Sequence, residues 1–297
     1  MATFDDLMRD KAQVRDNLYG NPAKLGARVD LQRRFSVNPT PVADWELGLV
    51  DLAGVRQALD VGCGTGAFLL PLARRLVPGG ATVIGLDLAE GTLGQARALL
   101  ESEGLPVECI IGDVEALPFD GGSFDLVLAN YMLYHVPDLD RAIAQLRRVL
   151  RPGGTLLAAS NGEGHMRELW QMQEQALARL RFSPEMVTEL MERARASGAL
   201  SFRLENGAEW LCRSFTDVHL ERYPDELQVT EVEPLVAYLD SLWSVEQMLA
   251  SVATTAQERA ALHTQLLNQV RAIAQEQLAT DGVIRIAKDT GAFVAHP

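Results

Sequence analysis

The chain is poor in cysteine: Cys63, Cys109 and Cys212 are its only three, at long and unpatterned spacings. A disulfide scaffold and a zinc site both need paired thiols or thiols grouped with histidines, so neither is expected, and no metal is assigned. Reduced thiols in a cytoplasmic protein are the reading that fits. Basic residues are also scarce, with Lys+Arg 27 against Asp+Glu 40 and a net charge of −13. Without a run of Lys or Arg there is little phosphate neutralisation to gain, so nucleic acid is not an expected partner. No uncharged apolar run approaches the ~20 residues of a membrane span. The opening MATFDDLMRDKAQVRD has no apolar core of the kind a signal peptide carries. Repeats, low-complexity tracts and Ser/Gly-rich linkers are missing too. A 47% hydrophobic and 23% charged chain of 297 residues remains, which is enough for one globular domain over 1–297.

Residues 1–55 read as a helical N-terminal segment. Phe4, Leu7, Met8 and Val14 recur at helical spacing, and PTPVADWELGLVDLAG reads as a helix from Pro41 to Gly54. Over 56–160 short apolar runs alternate with amphipathic stretches. Strands are expected at Gln57–Val61, Ala81–Leu86, Val107–Ile111, Phe124–Asn130 and Thr155–Ser160. Helices are expected at Ala67–Val77, Glu90–Leu100 and Leu139–Leu150, the last stopped by Pro152-Gly153-Gly154. Near-continuously apolar strands that alternate with helices indicate an α/β fold with a doubly wound, mostly parallel sheet covered on both faces. Residues 161–215 read as a helical insertion with Ser183 as an N-cap and Pro184 at the first helical position. Trp170, Met166, Met172, Phe182 and Met186 there suit a lid over an apolar acceptor, a plain core, or a homodimer face. Over 216–297, DVHLERYPDELQVT reads as a strand or hairpin. Ser244–Ala279 reads as helix, with Ser244/Gln247 and Thr255/Glu258 at capping-box spacing, and VIRIAKDTGAFVAHP as two strand-like runs.

The chemistry concentrates in DVGCGTG, residues 60–66, where a strand turns into a helix through glycines. Such a turn lets a ligand lie against bare backbone at the positive end of a helix. Gly62-x-Gly64-x-x-Ala67 also satisfies a relaxed dinucleotide fingerprint, so a nicotinamide-dependent oxidoreductase is one alternative. Asp87 closes the second strand 21 residues after Gly66, where a carboxylate can accept ribose hydroxyls or cap the next helix. Gly112-Asp113-Val114-Glu115 follows the third strand, where an acid can take an adenine amino group while Val114 packs on the ring. Three successive strand ends on one sheet edge form the usual ligand crevice of such folds.

The series DVGCGTG, IGLD, GDVEALPFDGGSFDLVLAN and LRPGGTLLAAS resembles the class I S-adenosylmethionine-dependent methyltransferases over residues 40–160. ALPFDGGSFDLV and MLYHVPD bring it nearest the small-molecule branch related to ubiquinone/menaquinone-biosynthesis methyltransferases. The resemblance implies a seven-stranded sheet with its last strand antiparallel, completed by DVHLERY and GAFVAH. It implies S-adenosyl-L-methionine as cofactor, with Gly62, Cys63, Gly64 and Gly66 along its methionine portion and Asp60 orienting the amino group. Asp87 and Leu88 would serve the ribose, Asp113 and Val114 the adenine, and Asn130 the region near the methyl. Arg33 becomes a candidate partner for the methionine carboxylate. His135 stands where the family motif has a histidine, to act as general base or to brace the loop.

Methyl transfer is an in-line displacement that runs largely on orientation, so the lack of a Ser-His-Asp or Cys-His set is no obstacle. His165, after the fifth strand, is a second acceptor-side candidate. A non-catalytic cofactor- or partner-binding member of the fold is the other alternative. Carbon, oxygen and nitrogen acceptors all stay open. The run Asn130-Tyr131-Met132-Leu133 departs from the Asn-Pro-Pro-Tyr-like motif of amino-methylating nucleic-acid and protein enzymes, which favours a small-molecule acceptor.

Overall fold

A computed structural model describes residues 22–196 and 201–297. Phe4, Leu7, Met8 and Val14 lie outside the described residues. Helices α1 (Pro22–Phe35) and α2 (Val42–Leu47) precede β1 (Gln57–Val61), α3 (Leu69–Leu76), β2 (Thr82–Asp87), α4 (Glu90–Ser102) and β3 (Glu108–Ile111). Then come β4 (Phe124–Leu128), α5 (Leu139–Val149) and β5 (Leu150–Asn161). The second half adds α6 (Arg167–Arg179), α7 (Pro184–Ala196), α8 (Gly207–Leu211), β6 (Asp217–Arg222) and β7 (Glu226–Val229). It closes with α9 (Val232–Asp240), α10 (Trp243–Ala250), α11 (Ala256–Asp281), β8 (Ile284–Ala287) and β9 (Thr290–His296).

Seven strands form one sheet in the order β3-β2-β1-β4-β5-β9-β6. Pairings β3-β2-β1-β4-β5 are parallel, and β9 runs antiparallel to both β5 and β6. This is the expected seven-stranded sheet, with the last strand antiparallel. The apolar positions of α5, Leu139, Ala142, Ile143, Leu146 and Val149, follow helical spacing and are all buried against one face. On the other face Leu69, Leu72 and Leu76 of α3 and Leu93 and Leu100 of α4 pack over Val83 and Leu126.

A third apolar core stands apart from these two. It joins α1, α6, α7, α9, α10 and α11 to β7 and β8, through residues such as Leu31, Met172, Leu190, Leu239, Leu266 and Ile286. These elements make a cap, stitched to itself by the β7–β8 pairing and by the Ser36–Leu227 bridge.

Several boundaries differ from the sequence reading. The helix after Pro41 stops at Leu47, because Gly48 closes it with backbone bonds to Asp44 and Trp45; it does not reach Gly54. Strand β5 begins at Leu150, ahead of Pro152. Phe124 pairs with Leu150 but Leu126 with Thr155, so the Pro-Gly-Gly is absorbed as an irregularity inside the strand. The segment 244–279 is two helices. Ser244 lies inside α10 and caps nothing, whereas Thr255 and Glu258 form the full capping box of α11. Ser183 does cap α7, its hydroxyl accepting from the Met186 backbone N–H at 3.3 Å. Asp217–Thr230 is no hairpin: β6 and β7 belong to different sheets, as do β8 and β9. The chain passes from sheet to cap around Pro224 and back around Lys288.

Candidate active site

The carboxyl ends of β1, β2, β4 and β5 open into a cavity of about 660 Å³, closed on the far side by α1 and by Tyr223, Tyr238 and Lys288. Glycines shape its floor. Gly62, Gly64 and Gly66 hold φ of +72°, +54° and +92°, a left-handed region that favours residues without a Cβ. They differ in what a side chain would meet. A Cβ on Gly62 would strike Met132 at 2.8 Å, while one on Gly64 would meet nothing within 4 Å. Gly64 therefore offers bare backbone to open space.

Asp87 fastens this loop. Its carboxylate accepts the Gly64 N–H and the Ala89 N–H, each at 2.8 Å. Burial nonetheless raises its pKa, and only in part do these bonds offset it. One lone pair on the oxygen facing Gly64 stays available to a hydroxyl. Leu88 lines the wall beside it. At the next strand end Asp113 lines the cavity and also caps a short 3-10 turn through the Glu115 N–H at 3.0 Å, with buried Val114 alongside.

Asp60 sits under the floor, 1% exposed, with Oδ2 lacking a hydrogen-bond partner. Burial, and then the charge of Asp87, push its carboxyl up to about 8. Glu46 from α2 is equally buried beside it and faces the Asn130 amide; desolvation raises its pKa well above the ordinary carboxylate range. Asn130 lines the cavity while its Oδ1 accepts the Ala159 N–H at 3.1 Å, bracing β4 against β5. Cys63 shows backbone to the cavity and turns its thiol toward side-chain-free Gly85. Gly66 faces Ala96 of α4 instead of the cavity.

The far chamber is ringed. Tyr131, itself at φ +54°, donates its hydroxyl to Thr290 at 2.7 Å, since the Thr290 proton goes to the Ser160 carbonyl. His135 packs edge-on to Tyr134 at 4.5 Å, and burial with the nearby Arg28 charge lowers its pKa to about 3. His165 is on the cavity wall, not out in solvent. The Asp289 backbone and side chain clasp Gly162 and Gly164 ahead of it, at 3.0 and 3.1 Å, and the Trp170 indole N–H bonds its carbonyl at 3.3 Å. Burial takes its pKa down to about 4. Lys288, 8% exposed, pairs with Asp225 at 2.7 Å and lies 4.9 Å from the Tyr223 ring. Arg33 reaches the wall but is 75% exposed and paired with Asp30 at 3.0 Å. Among the described residues no group of His, Cys, Asp and Glu suits a metal.

Trp170, Met166, Met172, Phe182 and Met186 pack into the cap's own core instead of the cavity wall. The far wall instead uses Arg28, Tyr223, Tyr238, Lys288 and Thr290, none of which the motifs single out. One compositional signal does point to them. Lys288 is one of three lysines in the chain, and four of its five tyrosines line this cavity.

Residues 59–158 match the model of a methyltransferase domain. The chain is similar to that domain over about a third of its length. It is similar to nocamycin O-methyltransferase of Saccharothrix syringae, 43% identical over 117 residues, which are 39% of this chain and 41% of that one. It is also similar to demethylmenaquinone methyltransferase of Thermus thermophilus, 39% identical over 138 residues, 46% of this chain and 61% of the relative. The chain thus spans less than two thirds of the curated relatives it matches. Among solved structures, phosphoethanolamine N-methyltransferase 2 of Haemonchus contortus in complex with S-adenosyl-L-methionine shares the fold. Its TM-score is 0.55 at 20% identity, covering 97% of this chain and 59% of that one. The matched stretch supplies the floor of the cavity, and the cap lies largely outside it.

No helix among the described residues is long and apolar enough to cross a membrane.

Proposed function

We propose that this chain transfers a methyl group from S-adenosylmethionine to a small molecule held in the same cavity. The observation that carries the reading is continuity. One cavity joins the glycine floor and the Asp87 and Asp113 strand ends to a tyrosine- and histidine-lined chamber with room for a second guest. The residues fit the cofactor: Gly64 presents an open cradle, Asp87 keeps a free lone pair, and Asp60 holds an unpartnered buried carboxyl oxygen beneath the loop. When bound, the cofactor supplies an electrophilic methyl on a sulfonium whose charge vanishes as the methyl leaves.

The chain's own work is placement. Gly62, Cys63 and Gly64 would run along the methionine portion, Asp87 and Leu88 along the ribose, and Asp113 and Val114 at the adenine. Asn130 and Tyr131 stand between this half and the chamber. His135 and His165 are held neutral at physiological pH, with pKa values of about 3 and 4. So depressed, they are weak proton acceptors, which supports positioning and desolvation of an already nucleophilic acceptor over strong general-base catalysis. The acidic charge supports a small molecule over nucleic acid, and the unpaired thiols support a cytoplasmic setting.

Thermal melting with S-adenosylmethionine, S-adenosylhomocysteine and NAD tests the reading. A ligand at a hundredfold excess over Kd adds about 2.7 kcal/mol to apparent stability. The two sulfur compounds should raise the melting temperature and NAD should not; equal or larger stabilisation by NAD would overturn the assignment.

A further inference from the structure

Three cations reach the cavity wall, and they are not equivalent. Arg33 and Lys288 are neutralised at close range, by Asp30 at 3.0 Å and by Asp225 at 2.7 Å. Arg28 pairs with no carboxylate among the described residues. Its guanidinium is held by neutral oxygens, Nε donating to Ser241 Oγ at 3.1 Å and Nη2 to the Ser241 carbonyl at 2.6 Å. The serine is committed to this arrangement, since its own proton goes to the Tyr238 carbonyl at 2.6 Å and leaves its lone pairs for Arg28. Two of the five guanidinium donors are used, and three are left on a fixed, half-buried fork.

Asp87 and Asp113, carboxylates on the same cavity lining, are bonded to backbone N–H groups of their own loops. Arg28 acts on His135 and Tyr238, in both cases as a cation that disfavours added positive charge or favours loss of a proton. The carboxyls beneath the floor, Asp60 and Glu46, are driven toward their neutral forms by burial and supply little compensation. In a chain of net charge −13, an arginine kept without a carboxylate in a cavity wall is a selective feature. The rest of the chamber is lined by Tyr131, Tyr223 and Tyr238, aromatic residues of the kind that suit a ring-sized body.

Given the methyltransferase reading above, we infer that the methyl acceptor is an organic anion with a flat, ring-sized body. Its negative group is received by the free donors of Arg28, and its ring lies against the tyrosines. Charge-assisted, two-pronged bonds to a guanidinium are roughly twice as strong as neutral ones, so the anion should be preferred over its uncharged isostere by about tenfold or more. The carboxylate of the cofactor itself is the other anion within the cavity, and the experiment separates the two.

The full chain saturated with S-adenosylhomocysteine is titrated calorimetrically with benzoate, benzamide and benzylamine. Benzoate should bind about tenfold or more tightly than benzamide, and benzylamine should not bind. Arg28→Gln should erase the preference, Arg28→Lys should keep part of it, and neither should change S-adenosylhomocysteine affinity more than about twofold. Equal binding of benzoate and benzamide by the unsubstituted chain overturns the inference without any variant needing to fold. So does a preference that survives Arg28→Gln. A tenfold or larger loss of S-adenosylhomocysteine affinity in Arg28→Gln would assign the guanidinium to the cofactor's carboxylate and likewise overturn it. Failure of the unsubstituted chain to bind S-adenosylhomocysteine at all would remove the methyltransferase reading, a result distinct from the other three.

Discussion

The floor and the cap of the cavity are built on opposite plans. The floor is backbone: the left-handed glycines Gly62 and Gly64, strand ends in parallel register, and a carboxylate, Asp87, that ties one loop to the next. The cap is side chains, with Arg28, Tyr223, Tyr238 and Lys288 arriving from segments up to 260 residues apart and standing on a core of their own. A backbone cradle recognises what every bound cofactor molecule has in common. A wall of side chains can be changed one residue at a time, which under the proposed function puts acceptor choice there. If the two halves are separable, substitutions in the cap should move stability or acceptor binding, and substitutions in the floor should move cofactor binding.

The largest effect is expected in the cap. Lys288→Met strands Asp225 in a site where the two side chains are 8% and 0% exposed. Removing one partner of a buried pair costs about 3–5 kcal/mol. The lower end applies here, because Asp225 keeps bonds from Ser36 at 2.6 Å and from the Val37 and Asn38 N–H groups at 3.1 and 3.0 Å. Denaturant unfolding should show this loss with S-adenosylhomocysteine affinity little changed; a matching loss of affinity would break the division between the halves.

Gly64→Val tests the floor directly. The new side chain projects into open cavity from a φ of +54°. It should cut S-adenosylhomocysteine affinity by roughly a hundredfold, about 2.7 kcal/mol, beyond the modest strain a left-handed non-glycine residue adds. Gly62→Ala makes the contrast, because its methyl collides with Met132 at 2.8 Å and should lower the melting temperature as well. Asp87→Ala comes next. It removes a charged acceptor from both the ligand and the Gly64 N–H, at about 1.5–3 kcal/mol of affinity read by calorimetry. Unchanged affinity with a lowered melting temperature would leave Asp87 as a loop fastener alone.

The smallest effect concerns pH. An ordinary aspartate titrates near ~3.9, whereas Asp60 is pushed up to about 8 in the folded protein. Below about pH 4 the carboxyl is protonated in both states. Between there and about pH 8 the unfolded chain has released a proton that the folded chain still holds, so stability falls as pH rises through that window. Asp60→Asn should remove this slope and melt a few degrees higher than the unsubstituted chain near pH 8, while binding S-adenosylhomocysteine less tightly. His135 and His165, lowered to about 3 and 4, act at the other end: their share of stability is present above about pH 6.5 and lost as the solution is acidified.

The same division decided what could be read from the sequence. Every floor element announces itself over ten residues or fewer, through an apolar run, a glycine cluster or an acid at the strand's end, and β1 falls on Gln57–Val61 as expected. Asp87 and Asp113 reach the cavity because strand ends in a parallel sheet share an edge. The cap gives no such local signal. Strand β7 finds its partner β8 more than fifty residues later, and Val229 opposite Ile284 has no periodicity to advertise it. The five apolar residues of the insertion had the right spacing for a buried helix face, but spacing does not say which core a face enters. Scarcity was the usable clue, in the rare lysine and the gathered tyrosines.

The order of strands in the sheet also sets a schedule for synthesis. β9 lies between β5 and β6, yet it is made 68 residues after Arg222 ends β6. At about 5–20 residues per second, β6 waits roughly 3–14 s with no neighbour to pair with, while the edge of β5 stands open beside it. Lys288 and Thr290 come in that same late stretch, so the far wall of the cavity cannot close earlier either. A nascent chain halted at residue 280 would carry the glycine floor and no finished chamber, with one bare strand edge for a chaperone, or another nascent chain, to find.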